Sequence, residues 1–182
     1  MREFDPLRLE VQAFAKEAGE LDGRWALLQL VRLADSALDG GEANRRDTDV
    51  AWSAHGEQRA APGGEPQIWL HLKAATAVAL ECQRCLQPIA VALQIDRSFL
   101  FVHGEDAAAQ LDADGEDDVL ALTRALDLRE LVEDEMLLAL PIVPRHDVCP
   151  QPLPVRPNDP LAEEKPNPFA ALAALKRGGP VN

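Results

Sequence analysis

The sequence has no tyrosine, and phenylalanine and tryptophan bring aromatics to only 4% of its 182 residues. Platforms that stack single-stranded bases need exposed rings, so this scarcity argues against that mode. Basic residues are also in short supply, 18 against 31 acidic, for a net charge of −13. Such a chain does not grip phosphate backbones through a general field, and a basic protein is the more natural partner. No run approaches the roughly 20 apolar residues that span a bilayer, so no membrane partner is expected. The segment Met1-Arg2-Glu3-Phe4-Asp5-Pro6 lacks the apolar core of a signal peptide, which makes the cytoplasm the expected location. There is no Walker loop, no GxGxxG and no nucleophile elbow around Ser36, Ser53 or Ser98. The expectation is a protein that is not an enzyme and has no small-molecule substrate.

Patterning indicates an α+β fold. Leu7, Val11 and Phe14 follow an Asp5-Pro6 start and predict a short helix, with a strand through Leu7, Leu9 and Val11 as the alternative. Leu27, Leu30, Val31, Ala34 and Leu38 predict a second helix, stopped by Gly40-Gly41. Val50, Trp52 and Ala54 alternate, as do Ile68, Leu70, Leu72, Val78 and Leu80, and then Ile89, Val91, Leu93, Ile95, Phe99 and Phe101. Period two with one apolar parity predicts an antiparallel meander over about residues 48–102, covered by helices from both ends. Domain 1–143 carries this meander, and a proline-rich tail, 144–182, ends in a short helix started by Asn167-Pro168-Phe169.

Between Gly104 and Glu135 there are twelve acids and two arginines, so most of the net charge sits in about one sixth of the chain. Its first half predicts a solvated loop, or a docking surface for a basic partner. Asp127, with Glu130 three residues on, predicts a capped helix carrying Leu128, Leu131, Val132, Met136, Ala139 and Leu140 inward. Glu133, Asp134 and Glu135 are expected on its exposed side.

The cysteines are Cys82, Cys85 and Cys149. Cys82-x-x-Cys85 between two strands has the spacing of a knuckle, and His146-x-x-Cys149 offers a second pair of ligands. Three thiolates and one imidazole would complete a tetrahedral structural zinc site if the fold brought the halves together. An odd cysteine count argues against a disulfide framework. Zinc, plainly buried thiols and a redox pair are the alternatives the spacing leaves open. Arg84, inside the knuckle, is a candidate contact to RNA or merely a surface cation; a zinc-knuckle RNA-binding module would gather Arg84, Arg97 and Arg145 on one face.

Three segments in register resemble the YceD-like family of large ribosomal RNA subunit accumulation proteins. They are Leu80-Glu81-Cys82-Gln83-Arg84-Cys85; Val132-Glu133-Asp134-Glu135 continuing through Leu138-Ala139-Leu140-Pro141-Ile142-Val143-Pro144 to His146-Asp147; and Lys165-Pro166-Asn167-Pro168-Phe169-Ala170. The resemblance covers roughly Trp69 to Arg177. It implies a cytosolic, non-enzymatic factor for synthesis, processing or stability of the large-subunit (23S) ribosomal RNA. Its genes commonly adjoin that of a small basic large-subunit protein, which suggests such a protein or a pre-ribosomal particle as partner. Other branches carry further cysteines and look metal-binding; here the downstream pair is His146 and Cys149. On this reading the binding residues are Arg84, Glu133, Asp134, Glu135 and Phe169, and the metal ligands are Cys82, Cys85, His146 and Cys149.

Overall fold

The computed structural model describes residues 3–38, 48–61, 63–115 and 117–150. The chain divides into two units, Met1–Gln151 and Pro152–Asn182, and the description concerns the first. The proposed Gly40-Gly41 stop, Phe169 and the C-terminal helix lie outside the described residues.

The architecture is α+β. Five strands, β1 (Glu20–Ala26), β2 (Asp49–Arg59), β3 (Gln67–Glu81), β4 (Pro88–Val102) and β5 (Asp118–Ala121), form one sheet in that order. The first four run antiparallel, and β5 runs parallel to β4. The helices are α1 (Val11–Lys16), α2 (Val31–Ser36), α3 (Glu105–Asp114) and α4 (Leu128–Leu138), with a 3-10 turn at Leu27–Gln29 before α2.

The expected parity holds on the long hairpin. Ile68, Leu70, Leu72, Val78 and Leu80 of β3 and Leu93, Ile95, Phe99 and Phe101 of β4 are buried in the main core. That core joins them to Phe14 of α1, Leu33 of α2, and Leu128, Val132 and Met136 of α4. Burying each such side chain contributes about 1.5–3 kcal/mol, so the alternation selects the face that receives α1, α2 and α4. On the opposite face Trp69 and Leu100 join Val119 of β5 and Ala108 of α3 in a second cluster.

Several local expectations are corrected. Helix α1 starts only at Val11, because Leu9 exchanges backbone hydrogen bonds with Leu126 at 2.8 and 2.9 Å and is held extended. The second helix is one short piece after a 3-10 turn, and Val31 faces solvent. Strand β1 carries little sequence signal because its alternation, Leu21, Gly23, Trp25, has a glycine at its centre. A Cβ at Gly23 would lie 3.0 Å from the ring of Trp52, which stacks on Trp25 at 4.3 Å between centroids.

The acidic run is not simply a solvated loop. Ala107-Ala108-Ala109-Gln110-Leu111 are strong helix formers, and Glu105 and Asp106 stand at the positive end of the helix dipole. Ala108 seats α3 on the sheet. This crossover also permits β5 to return parallel to β4.

Helix α4 is capped as expected, with the Asp127 carboxylate accepting from the N–H groups of Arg129 (2.9 Å) and Glu130 (3.2 Å). Its acids do not all face solvent. Glu133 and Glu135 are buried, and Asp134 alone of the three keeps a half-exposed side chain.

Candidate metal centre

The β3–β4 hairpin closes through Cys82-Gln83-Arg84-Cys85-Leu86-Gln87. Cys82 N–H donates to the Gln87 carbonyl at 3.0 Å, and Leu86 N–H donates to the Cys82 carbonyl at 2.8 Å. Leu86 takes a left-handed backbone, φ +59°, which an L side chain adopts at a cost. This tight loop turns both knuckle thiols inward, where Cys82 and Cys85 are buried.

The second half arrives from α4. Pro141 bars a further helical turn, and the extended chain crosses back to the knuckle, where the Gln83 N–H donates to the Pro144 carbonyl at 2.9 Å. One ligand atom each from Cys82, Cys85, His146 and Cys149 then lies within 4.8 Å of every other. Cys82 Sγ is 3.9 Å from Cys149 Sγ, and Cys85 Sγ is 3.4 Å from His146 Nδ1. Zinc bonds of about 2.3 Å to sulfur and 2.0–2.1 Å to nitrogen imply tetrahedral edges of about 3.8 and 3.5 Å. These two separations match those edges and the remaining pairs lie within 4.8 Å, so these four residues could hold a metal ion such as zinc.

The surroundings fit the same chemistry. His146 Nε2 lies 3.1 Å from the Pro88 carbonyl and donates to it, which leaves the Nδ1 lone pair facing the thiols. A carbonyl behind the imidazole is the usual way to fix the tautomer of a ligating histidine. Arg84 Nε donates to Cys149 Sγ at 3.0 Å, and Nη2 donates to the carbonyls of His146 (3.2 Å) and Asp147 (3.3 Å). Burial pushes the Cys82 thiol up, but N–H donors from His146, Arg84 and Cys85 outweigh it and bring the thiol down to about 5. Burial, with the other two sulfurs nearby, pushes Cys85 the opposite way.

Of the other candidate residues, Glu133 and Asp134 both meet Arg32, whose Nη2 and Nη1 lie 2.9 and 2.6 Å from Glu133 Oε2 and Asp134 Oδ1. Glu135 accepts from Arg97 Nε at 3.2 Å, and burial raises its carboxyl against the pull of that guanidinium. Arg97 also reaches Asp118, at 3.1 Å. It stands nine residues beyond Pro88 along β4, roughly 30 Å from the knuckle. Only Arg84 and Arg145 therefore share a cleft, of about 390 Å³, with Val143, His146 and Asp147. Sequence reasoning missed the Pro88 carbonyl and the clamp from Arg84 to Cys149. A backbone acceptor leaves no side-chain signature, and the clamp depends on a segment 65 residues away.

Comparison with known proteins places both halves of the centre inside one matched region. The family model described as Large ribosomal RNA subunit accumulation protein YceD matches residues 70–176. The chain is 32% identical, over 179 residues, to the Large ribosomal RNA subunit accumulation protein YceD of Haemophilus influenzae, covering 94% of this chain and 96% of that one. No solved structure matches it.

Proposed function

The chain belongs to the YceD family of large ribosomal RNA subunit accumulation proteins, and from that premise we propose that it works in the cytoplasm as a non-enzymatic binding factor for a basic large-subunit protein or the pre-ribosomal particle that contains it. The carrying observation is the charge distribution. Residues 104–135 hold twelve acids and two arginines in a chain of net −13. Much of that run is built into α3, β5 and α4. Carboxylates on formed elements attract a cationic surface in a defined arrangement, and attraction of this kind weakens with salt.

The reading includes zinc at Cys82, Cys85, His146 and Cys149 as a structural ion. Four protein ligands close the coordination shell and leave no position for a reacting water. The ion would clip residues 144–149 onto the hairpin tip, and Arg84 would hold Cys149 and the neighbouring carbonyls in place. Asp134 is the described residue proposed to meet a basic protein, and Arg84 the one proposed to meet the pre-ribosomal particle. Glu133 and Glu135 serve by positioning α4, and Phe169 belongs to the tail.

A second reading, direct RNA contact by the knuckle, draws on the cleft shared by Arg84 and Arg145. Arg97 does not join them, being bound to Glu135 and Asp118.

The test is affinity capture from lysate at low and high salt, with and without RNase, followed by identification of the bound proteins. Basic large-subunit proteins should stay bound after RNase and leave at high salt. Recovery that vanishes with RNase would overturn this reading in favour of RNA contact.

A further inference from the structure

Strand β4 is unequally used along its two edges. One edge pairs with β3 along almost its whole length, from Pro88 opposite Glu81 to Phe101 opposite Ile68. The other edge meets β5 only at Phe99–Val102. Among the described residues no strand pairs with that edge over residues 89–98, about 33 Å of extended chain at roughly 3.3 Å per residue. The Pro88 carbonyl at its start is taken by His146 Nε2.

Exposed edges offer a row of free N–H and C=O groups, and soluble proteins blunt them with charges, prolines or bulges. Here Ile89-Ala90-Val91-Ala92-Leu93-Gln94-Ile95 contains no charge and no proline. The flanking Pro88 and Asp96 are the only such residues beside it. Ile89 and Val91 are half-buried, Leu93 and Ile95 are buried, and Ala90, Ala92 and Gln94 on the other face are exposed. An incoming strand would meet an apolar rim on one side and small side chains on the other.

We infer that the free edge of β4, Ile89 to Ser98, receives an extended basic segment of a partner protein as an added strand. Backbone groups in a row select an extended chain, and the alternating rim selects alternating side chains. Charge selects the sign. At the Ser98 end Asp96, Asp118 and Glu135 are paired with Lys73 and Arg97 and outnumber them by one, so the local excess is slight and the sign is set by the chain's net −13. A second copy of the chain would bring another −13 to the same edge and be repelled, whereas a cationic segment is attracted. The sign of the partner rests on the reading under Proposed function; the edge itself does not.

The experiment uses the full chain and two synthetic peptides about ten residues long, one alternating valine with lysine and one alternating valine with glutamate. The lysine peptide should bind at least about tenfold more tightly and slow amide hydrogen exchange at least about tenfold over residues 90–96. Successive amides on a strand point in opposite directions, so one of Val91→Pro and Ala92→Pro removes an outward donor while leaving the pairing with β3. The variant that keeps the parent melting curve should lose peptide affinity by about tenfold or more.

If the lysine peptide binds but protects α3 or β5 instead, the edge proposal is overturned while the basic-partner reading stands. Equal protection of the edge by both peptides leaves the edge standing and overturns the choice of a basic occupant. Edge amides already protected in the free chain would also overturn it. Sedimentation then assigns the occupant, a dimer pointing to a second copy and a monomer to the chain's own tail. If both proline variants fail to fold, the exchange pattern alone decides.

Discussion

Glu133 caps a helix to which it does not belong: its Oε1 accepts the backbone N–H of Arg32 at 2.7 Å, across 101 residues of sequence. The same oxygen lies 3.3 Å from the N–H of Leu33, and Oε2 accepts from Arg32 Nε and Nη2 at 3.0 and 2.9 Å. Helix α2 has Leu30 at its N-cap position and no side-chain cap of its own. A carboxylate from α4 supplies the missing acceptor and pins the two helices together.

Replacing Glu133 should therefore be structural in effect. Glu133→Ala leaves first-turn donors of α2 unpaired and is expected to cost about 2–3 kcal/mol, read as a lower urea midpoint. Asp134→Ala removes only a half-exposed ion pair and should cost no more than about 0.5–1 kcal/mol. Loss of partner capture in Asp134→Ala with an unchanged midpoint would mark Asp134 as a contact residue.

The metal centre predicts stoichiometry. The purified chain should carry about one zinc, and Cys82→Ser or Cys85→Ser should lose it, as measured by elemental analysis. Removal by a chelator should lower the melting temperature and speed amide exchange in residues 144–150, because on the proposed reading metal–ligand bonds hold that segment to the hairpin. A chain that never binds zinc, with no effect of chelator, would remove the ion from the account.

In the metal-free chain the Cys82 thiol is held near 5 against an ordinary value of 9.0. A lowered value means the folded state favours the thiolate. The resulting stability is complete above the unfolded value and is lost as pH falls from about 9 through about 5. The urea midpoint of metal-free protein should fall across that window more steeply than that of Cys82→Ala. Thiolate absorbance should follow the same titration.

Packing of α1 on β2 predicts a sharp contrast between two glycines. A Cβ at Gly56 would stand 2.7 Å from Phe14 Cδ1 and 2.8 Å from the Ala15 nitrogen, so Gly56→Ala must push the helix off the strand. The expected loss is about 2–3 kcal/mol in denaturant unfolding. At Gly64 the nearest atom is 3.9 Å away, and Gly64→Ala should fall within about 0.5 kcal/mol of the parent.

Much of this fold is written in local rules. The parity of β3 and β4, the Asp127 cap and the Pro141 stop depend on neighbours two to four residues apart, and all are present. Strand β1 was hidden by Gly23, whose missing side chain makes room for Trp52 and also interrupts the apolar alternation. Helix α3 was hidden by its acids, although its alanines and the burial of Ala108 explain it once the sheet face is known.

By itself, then, the sequence determined the α+β class, the long hairpin, the acidic net charge and the two Cys/His pairs of the candidate metal centre. Periodicity, capping and composition are read within a few residues, so they survive without the fold. Only the tertiary structure decided that His146 and Cys149 reach Cys82 and Cys85, that Glu133 turns inward to Arg32, and that β5 stops after four residues, leaving residues 89–98 of β4 without a strand on that edge among the described residues. Each of these joins groups distant along the chain. Such contacts depend on how α4 and the turn at Pro141 return the backbone to the sheet, and no local pattern encodes that path.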